Sequence, residues 1–137
     1  MIEVIILSNT IAQTLAPGQS LTFDKEILHT GCCSECHRPG SGAVILNKNG
    51  IYEVFAKVDI SAEADGTLQL SIFASGGELP ETRMISTPSA VGDINTVCCN
   101  TAIKPCTCCG EALVVQNSGT TPVVVEPNSC LFVKRIA

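Results

Sequence analysis

A chain of 137 residues is long enough for one domain with a core of its own. Its residues are 45% hydrophobic but only 15% charged, well under the roughly 25% charged of an average soluble domain, so part of its surface is expected to be covered by partners. The formal net charge of −5 excludes a nucleic-acid binder, which needs lysines and arginines to displace counterions, and no run approaches the ~18 apolar residues of a membrane span.

In chain order, the opening "MIEVIILSNTIAQ" is apolar but carries Glu3 and has neither a basic leader nor a small-residue cleavage site, so no secretory signal is expected. Strands are expected at 2–8, 20–28 and 42–47, separated by "APGQ" and "RPGSG". The clearest alternation is "GIYEVFAKVDIS" (50–61), which sets Tyr52, Val54, Ala56, Val58 and Ile60 on one face against Glu53, Phe55, Lys57 and Asp59. A second alternating run, 65–77, follows the turn signal Asp65-Gly66 and places Leu68, Leu70, Ile72 and Ala74 on one side. The two are expected to pair as a hairpin. Further strands are expected at 82–86, 91–103, 111–117, 121–126 and 129–136. About ten short strands with turn residues every 8–12 positions, and no helical period, indicate an all-β antiparallel sandwich in one domain spanning 1–137.

No catalytic set stands out. A cysteine nucleophile needs a histidine base and a group to orient it, yet only His29 and His37 occur, and both fall in one short stretch. The acidic residues are scattered, and the Gly-rich phrases lack the Lys-Ser/Thr of a phosphate loop. A non-enzymatic protein without a cofactor is expected, unless the cysteines hold a metal.

Eight of the nine cysteines lie in two runs, "HTGCCSECHRPGSG" (29–42) and "CCNTAIKPCTCCGE" (98–111). Three chemistries remain open for them. Disulfides among Cys32, Cys33, Cys36, Cys98, Cys99, Cys106, Cys108 and Cys109 would staple two loops, each cross-link restricting the unfolded chain by something like 3 kcal/mol. Zinc is the second: Cys33 and Cys36 have the two-residue spacing that lets both thiolates reach one tetrahedral ion, and Cys106 and Cys109 repeat it. Free thiols packed in the interior are the third. Either kind of staple requires the two runs to meet at one end of the sandwich. Cys130, the odd one, is expected to be a small core hydrophobe in the last strand. His29 and His37 are either ordinary turn histidines or, in a symmetric assembly, ligands of a metal or anion on its axis.

The order "SLTFDKEILHTG", "SGAVILNKNGIYEVFAKVDIS", "TLQLSIFASGGELPET" and "GEALVVQNSGTTPVVVEPNSCLFVKRIA" resembles the tumour necrosis factor/complement globular-head jelly roll, with Gly50-Ile51-Tyr52 matching the phrase that opens its long central strand. The C-terminal domains of collagen-like spore-surface proteins and small structural proteins of phages of Firmicutes are similar, and the phrases at 38–46 and "TPSAV" (87–91) look most like the phage group. This resemblance implies a homotrimer with its closing strand near the three-fold axis. It also implies a structural role in a virus particle, as a capsid decoration or a head or tail fibre made in the bacterial cytoplasm and contacting the major capsid or other virion proteins. A receptor- or glycan-binding head, or a structural protein of a spore coat or bacterial surface, is the alternative it leaves open.

Overall fold

The computed structural model describes residues 3–30, 35–37, 40–47, 49–105 and 111–137, with Glu35 and Cys36 described by backbone alone. Among these described residues thirteen strands form two antiparallel sheets: β1 (Glu3–Ser8), β2 (Gln13–Leu15), β3 (Lys25–Thr30), β4 (Glu35–His37), β5 (Val44–Leu46), β6 (Tyr52–Ser61), β7 (Leu68–Ala74), β8 (Gly77–Glu78), β9 (Met84–Ser86), β10 (Asn95–Ile103), β11 (Glu111–Asn117), β12 (Val123–Val125) and β13 (Cys130–Arg135). One sheet runs β2-β12-β6-β13-β1-β3, with β10 on the free side of β6. The other runs β4-β5-β11-β7-β8, with β9 also on β7. This is the antiparallel sandwich expected from the alternation, with the jelly-roll architecture that the resemblance implies.

The alternation itself dictates the core. On β6 the residues Tyr52, Val54, Ala56, Val58 and Ile60 are buried, and Leu68, Leu70 and Ile72 on β7 meet them from the opposite sheet. β6 is long enough to serve three partners: β10 along Tyr52–Ile60 on one side, and β13 followed by β12 on the other. Polar groups that enter the core come with partners. Asn117, 1% exposed, donates to the carbonyls of Leu15 and Thr121 at 2.9 Å each and accepts from the Gly119 amide at 3.0 Å, tying β11 to β2 and to the following turn.

The expected hairpin of 50–61 with 65–77 does not form. β6 belongs to the seven-stranded sheet and β7 to the six-stranded one, so 62–67 crosses between the sheets instead of turning within one. Gly66 does take the positive φ (149°) that Asp-Gly suggests, but it serves an inter-sheet arch. The expected strand at 20–28 is displaced as well: Ser20 makes an isolated bridge to Gln116, and the regular ladder begins only at Lys25. Leu21 and Phe23 are nevertheless fully buried, their amides held by the carbonyls of Val115 and Ser41. The short strands β2, β4 and β8 were not expected from the sequence, because two or three residues are too few to show a period.

Candidate functional site

Strand register places one row of apolar side chains across the outer face of the seven-stranded sheet. Leu28 on β3 opposes Ile6 on β1, Ile6 opposes Phe132 on β13, and Phe132 opposes Phe55 on β6. Their sequence neighbours Ile5, Leu131 and Val54 are buried in the core, so by the two-residue period this row points away from it. Leu28 is 44% exposed and Phe55 36%. The row on one side contains Cys130, Lys57 and Cys98 in register, and the row on the other contains Lys134, Glu53 and Ala102. An apolar centre with a charged margin is thus laid across four strands. Phe55 and Phe132 are cross-strand neighbours, whereas Tyr52 and Phe23 are interior. The row was hidden because its members come from four separate strands and meet only through register.

Cys130 is not the core residue expected. It lies half-exposed on that outer face between Ser8 and Lys57, because Leu131 and Val133 take the inward positions of β13. Cys98 and Cys99 lie in the middle of β10 with side chains on opposite faces: Cys98 is exposed, while Cys99 packs against the core. Burial pushes the Cys99 thiol up to about 11. Cys98, Cys99 and Cys130 are free thiols. Cys32, Cys33, Cys106, Cys108 and Cys109 lie outside the described residues, as does the side chain of Cys36. Both the proposed zinc set of Cys33, Cys36, Cys106 and Cys109 and most of the disulfide candidates therefore fall there.

The strands flanking those segments are described. β3 ends at Thr30 opposite Val4, and β10 ends at Ile103 opposite Tyr52, at the same end of the seven-stranded sheet. In the other sheet β4 begins at Glu35 and β11 at Glu111, and both residues oppose Leu46 from its two sides. β3 and β10 thus belong to one sheet, and β4 and β11, the next strands in the chain, to the other.

His37 ends β4. It opposes Val44 on β5, meets Phe23 edge-on with ring centroids 6.4 Å apart, and has Nε2 2.9 Å from the Ser41 carbonyl oxygen. Its Nδ1 is buried and has no hydrogen-bond partner among the described residues. His29 lies in the other sheet, on β3, with Nδ1 3.4 Å from the Glu26 carboxylate.

One polar cluster gathers around Ser71 on β7. Ser71, fully buried, donates to Glu78 at 2.7 Å and lies 2.7 Å from the Ser118 hydroxyl, while Arg83 donates to the same carboxylate through Nε at 3.2 Å and Nη2 at 2.7 Å. The Arg83 hydrogen bond, then that of Ser71, holds the Glu78 carboxyl at about 2. A carboxylate so acidic cannot take a proton from a serine hydroxyl near neutral pH, so the pair is no nucleophile and base. Arg135 lines an open depression with Glu3, Ile136 and Ala137, donating to Glu3 at 3.2 Å and to the Asn49 carbonyl oxygen.

No family model matches the sequence, and no curated protein matches it either. Solved structures match its fold over nearly the whole chain. The Eiger TNF from S. frugiperda superposes with a TM-score of 0.78 at 11% identity, covering 99% of this chain and 93% of that one. Murine APRIL at pH 5.0 gives 0.76 at 15% identity, covering 99% and 100%. The globular domain of the zebrafish complement 1qA protein gives 0.71 at 11% identity, covering 98% and 96%. The fold is therefore that of the TNF and complement globular heads.

Proposed function

We propose that this chain is a non-catalytic homotrimeric head, a structural component on the surface of a bacteriophage particle. The observation that carries the trimer is the row Leu28, Ile6, Phe132 and Phe55 on the outer face of the seven-stranded sheet. Apolar residues in register on the outer face lie outside the core of one chain. Against a second copy they bury area worth about 25 cal/mol per Å². The flanking rows of Lys57, Lys134 and Glu53 supply the polar rim that such interfaces carry. A closed ring of copies meeting heterologously covers the row in every subunit and leaves no open end. Changing Phe55 and Phe132 together to lysine leaves the inward residues untouched. The double variant is expected to keep its β circular-dichroism spectrum but sediment as a single chain; a variant still associated like the parent would overturn the assignment of this face.

The particle part of the reading rests on the likeness of the phrases at 38–46 and 87–91 to phage structural proteins. Mass spectrometry of purified particles is expected to find the chain among the stoichiometric components. Its absence there, with recovery from spore coats or cell envelopes, would replace the virion by a bacterial surface. A soluble trimer that instead captures a glycan or receptor on a matrix would favour a binding head.

A further inference from the structure

We propose, on the premise of the trimer, that Cys98 of one copy and Cys130 of the next form an interchain disulfide that locks the ring. Register sets both cysteines in one row of the outer face of the seven-stranded sheet, where Lys57 on β6 opposes Cys98 on β10 from one side and Cys130 on β13 from the other. Both are free thiols, Cys98 exposed and Cys130 half-exposed. They cannot join within one chain. Two strand spacings part them, roughly 10 Å between Cα atoms, whereas a disulfide needs those atoms within about 7 Å. Cys99, the sequence neighbour of Cys98, packs against the core on the opposite face. Lys57 does not hold the space between the two thiols, because its Nζ is drawn along β6 to the Asp59 carboxylate at 3.8 Å.

Symmetry selects the partner. Two copies meeting about a two-fold axis would pair the patch with itself and stop at a dimer. A ring of three instead seats one side of the sheet in each copy on the other side in the next, so a bond of Cys98 to Cys98 would leave a chain over. Cys98 and Cys130 lie on the two sides of β6, the first on the outermost described strand. Their row borders the apolar row of Phe55 and Phe132, two residues along each strand. One bond per subunit, from Cys98 to the neighbouring Cys130, is the pairing that repeats around the ring and closes it. The row lies at the margin of the face, where a solute reaches the thiols as the copies meet. The oxidant is a small disulfide of the glutathione class. The Cys98 thiolate attacks one of its sulfurs and expels a thiolate, which takes up the proton that Cys98 lost. The neighbour's Cys130 thiolate then attacks the Cys98 sulfur and expels the second small thiol in the same way. Two protein thiols are thus oxidised to one disulfide, and one small disulfide is reduced to two thiols.

The test uses the full chain, purified reduced and then equilibrated with oxidised and reduced glutathione. On a denaturing gel without reductant, a band at three times the 14.3 kDa chain mass is expected, returning to one chain mass with dithiothreitol. The digest of that band is expected to contain peptides linking Cys98 to Cys130. Cys98→Ser and Cys130→Ser each leave one thiol without its counterpart, and either is expected to abolish the covalent trimer while the reduced protein sediments as the parent does. Should a variant fail to fold, the peptide map of the parent decides. Chains that stay unlinked after oxidation, peptides joining Cys98 and Cys130 only to other cysteines, a Cys98-to-Cys130 peptide from the single-chain band, or a folded serine variant that still gives the covalent trimer would each overturn the proposal. Sedimentation of the reduced chain separates it from the trimer reading. A reduced trimer whose oxidised form lacks the linked peptide removes only the disulfide, whereas a reduced single chain that oxidises to a dimer linked through Cys98 and Cys130 removes only the trimer.

Discussion

At the scale of single residues, side-chain direction along a strand decides chemistry. Cys98 and Cys99 are adjacent in sequence, but β10 points the first to solvent and the second toward the core, where burial raises its thiol to about 11. Since the thiolate is the nucleophile, Cys98 is expected to react with iodoacetamide at pH 8 in the native single chain while Cys99 stays unmodified until denaturant is added; equal native labelling of the two would refute their placement. Glu78 supplies a pH signature. Its folded value, about 2, lies below the ordinary 4.5, so its bonds to Arg83 and Ser71 stabilise the fold fully above that ordinary value. The contribution fades as pH falls through about 2. Urea midpoints followed from pH 7 to 2 are expected to show Glu78→Gln least stable relative to the parent at neutral pH, with the gap closing on acidification. A gap that widened in acid would reverse the assignment.

Elements were legible in the sequence where the period was long. Ten residues of strict alternation made β6 and its inward face readable, and 111–117 coincides with β11. What alternation cannot reveal is which sheet a strand joins, because every strand of a sandwich buries one face in the same way. The hairpin expected of β6 and β7 failed on that ambiguity. The outer apolar row was likewise unreadable before register aligned its members, and His37 gave no signal beyond its place beside the cysteines. Close approaches between elements are equally silent. Gly42, just before β5, lies against the backbone carbonyl of Leu21, whose own amide is held by Val115. A methyl group there meets backbone that cannot yield. Gly→Ala at an unstrained site stabilises by about 0.4–1 kcal/mol; Gly42→Ala is expected to do the opposite, costing more than about 1 kcal/mol in urea unfolding, and a gain would show that Leu21 is free to move.

For the whole molecule, β3 and β10 are the outermost strands of the seven-stranded sheet among the described residues. β3 exposes Ile27 and Leu28 on its two faces, and β10 exposes every second residue. Exposed apolar side chains on outer strands and an apolar face in one sheet invite further association unless a closed assembly covers them. The low share of charged residues, 15%, is consistent with such cover, since an average soluble domain carries about 25%. Sedimentation equilibrium of the reduced, purified chain at micromolar concentration tests this most directly. The account predicts a single species of three times the 14.3 kDa chain mass, unchanged on tenfold dilution; a species of one chain mass at the same concentration would contradict it.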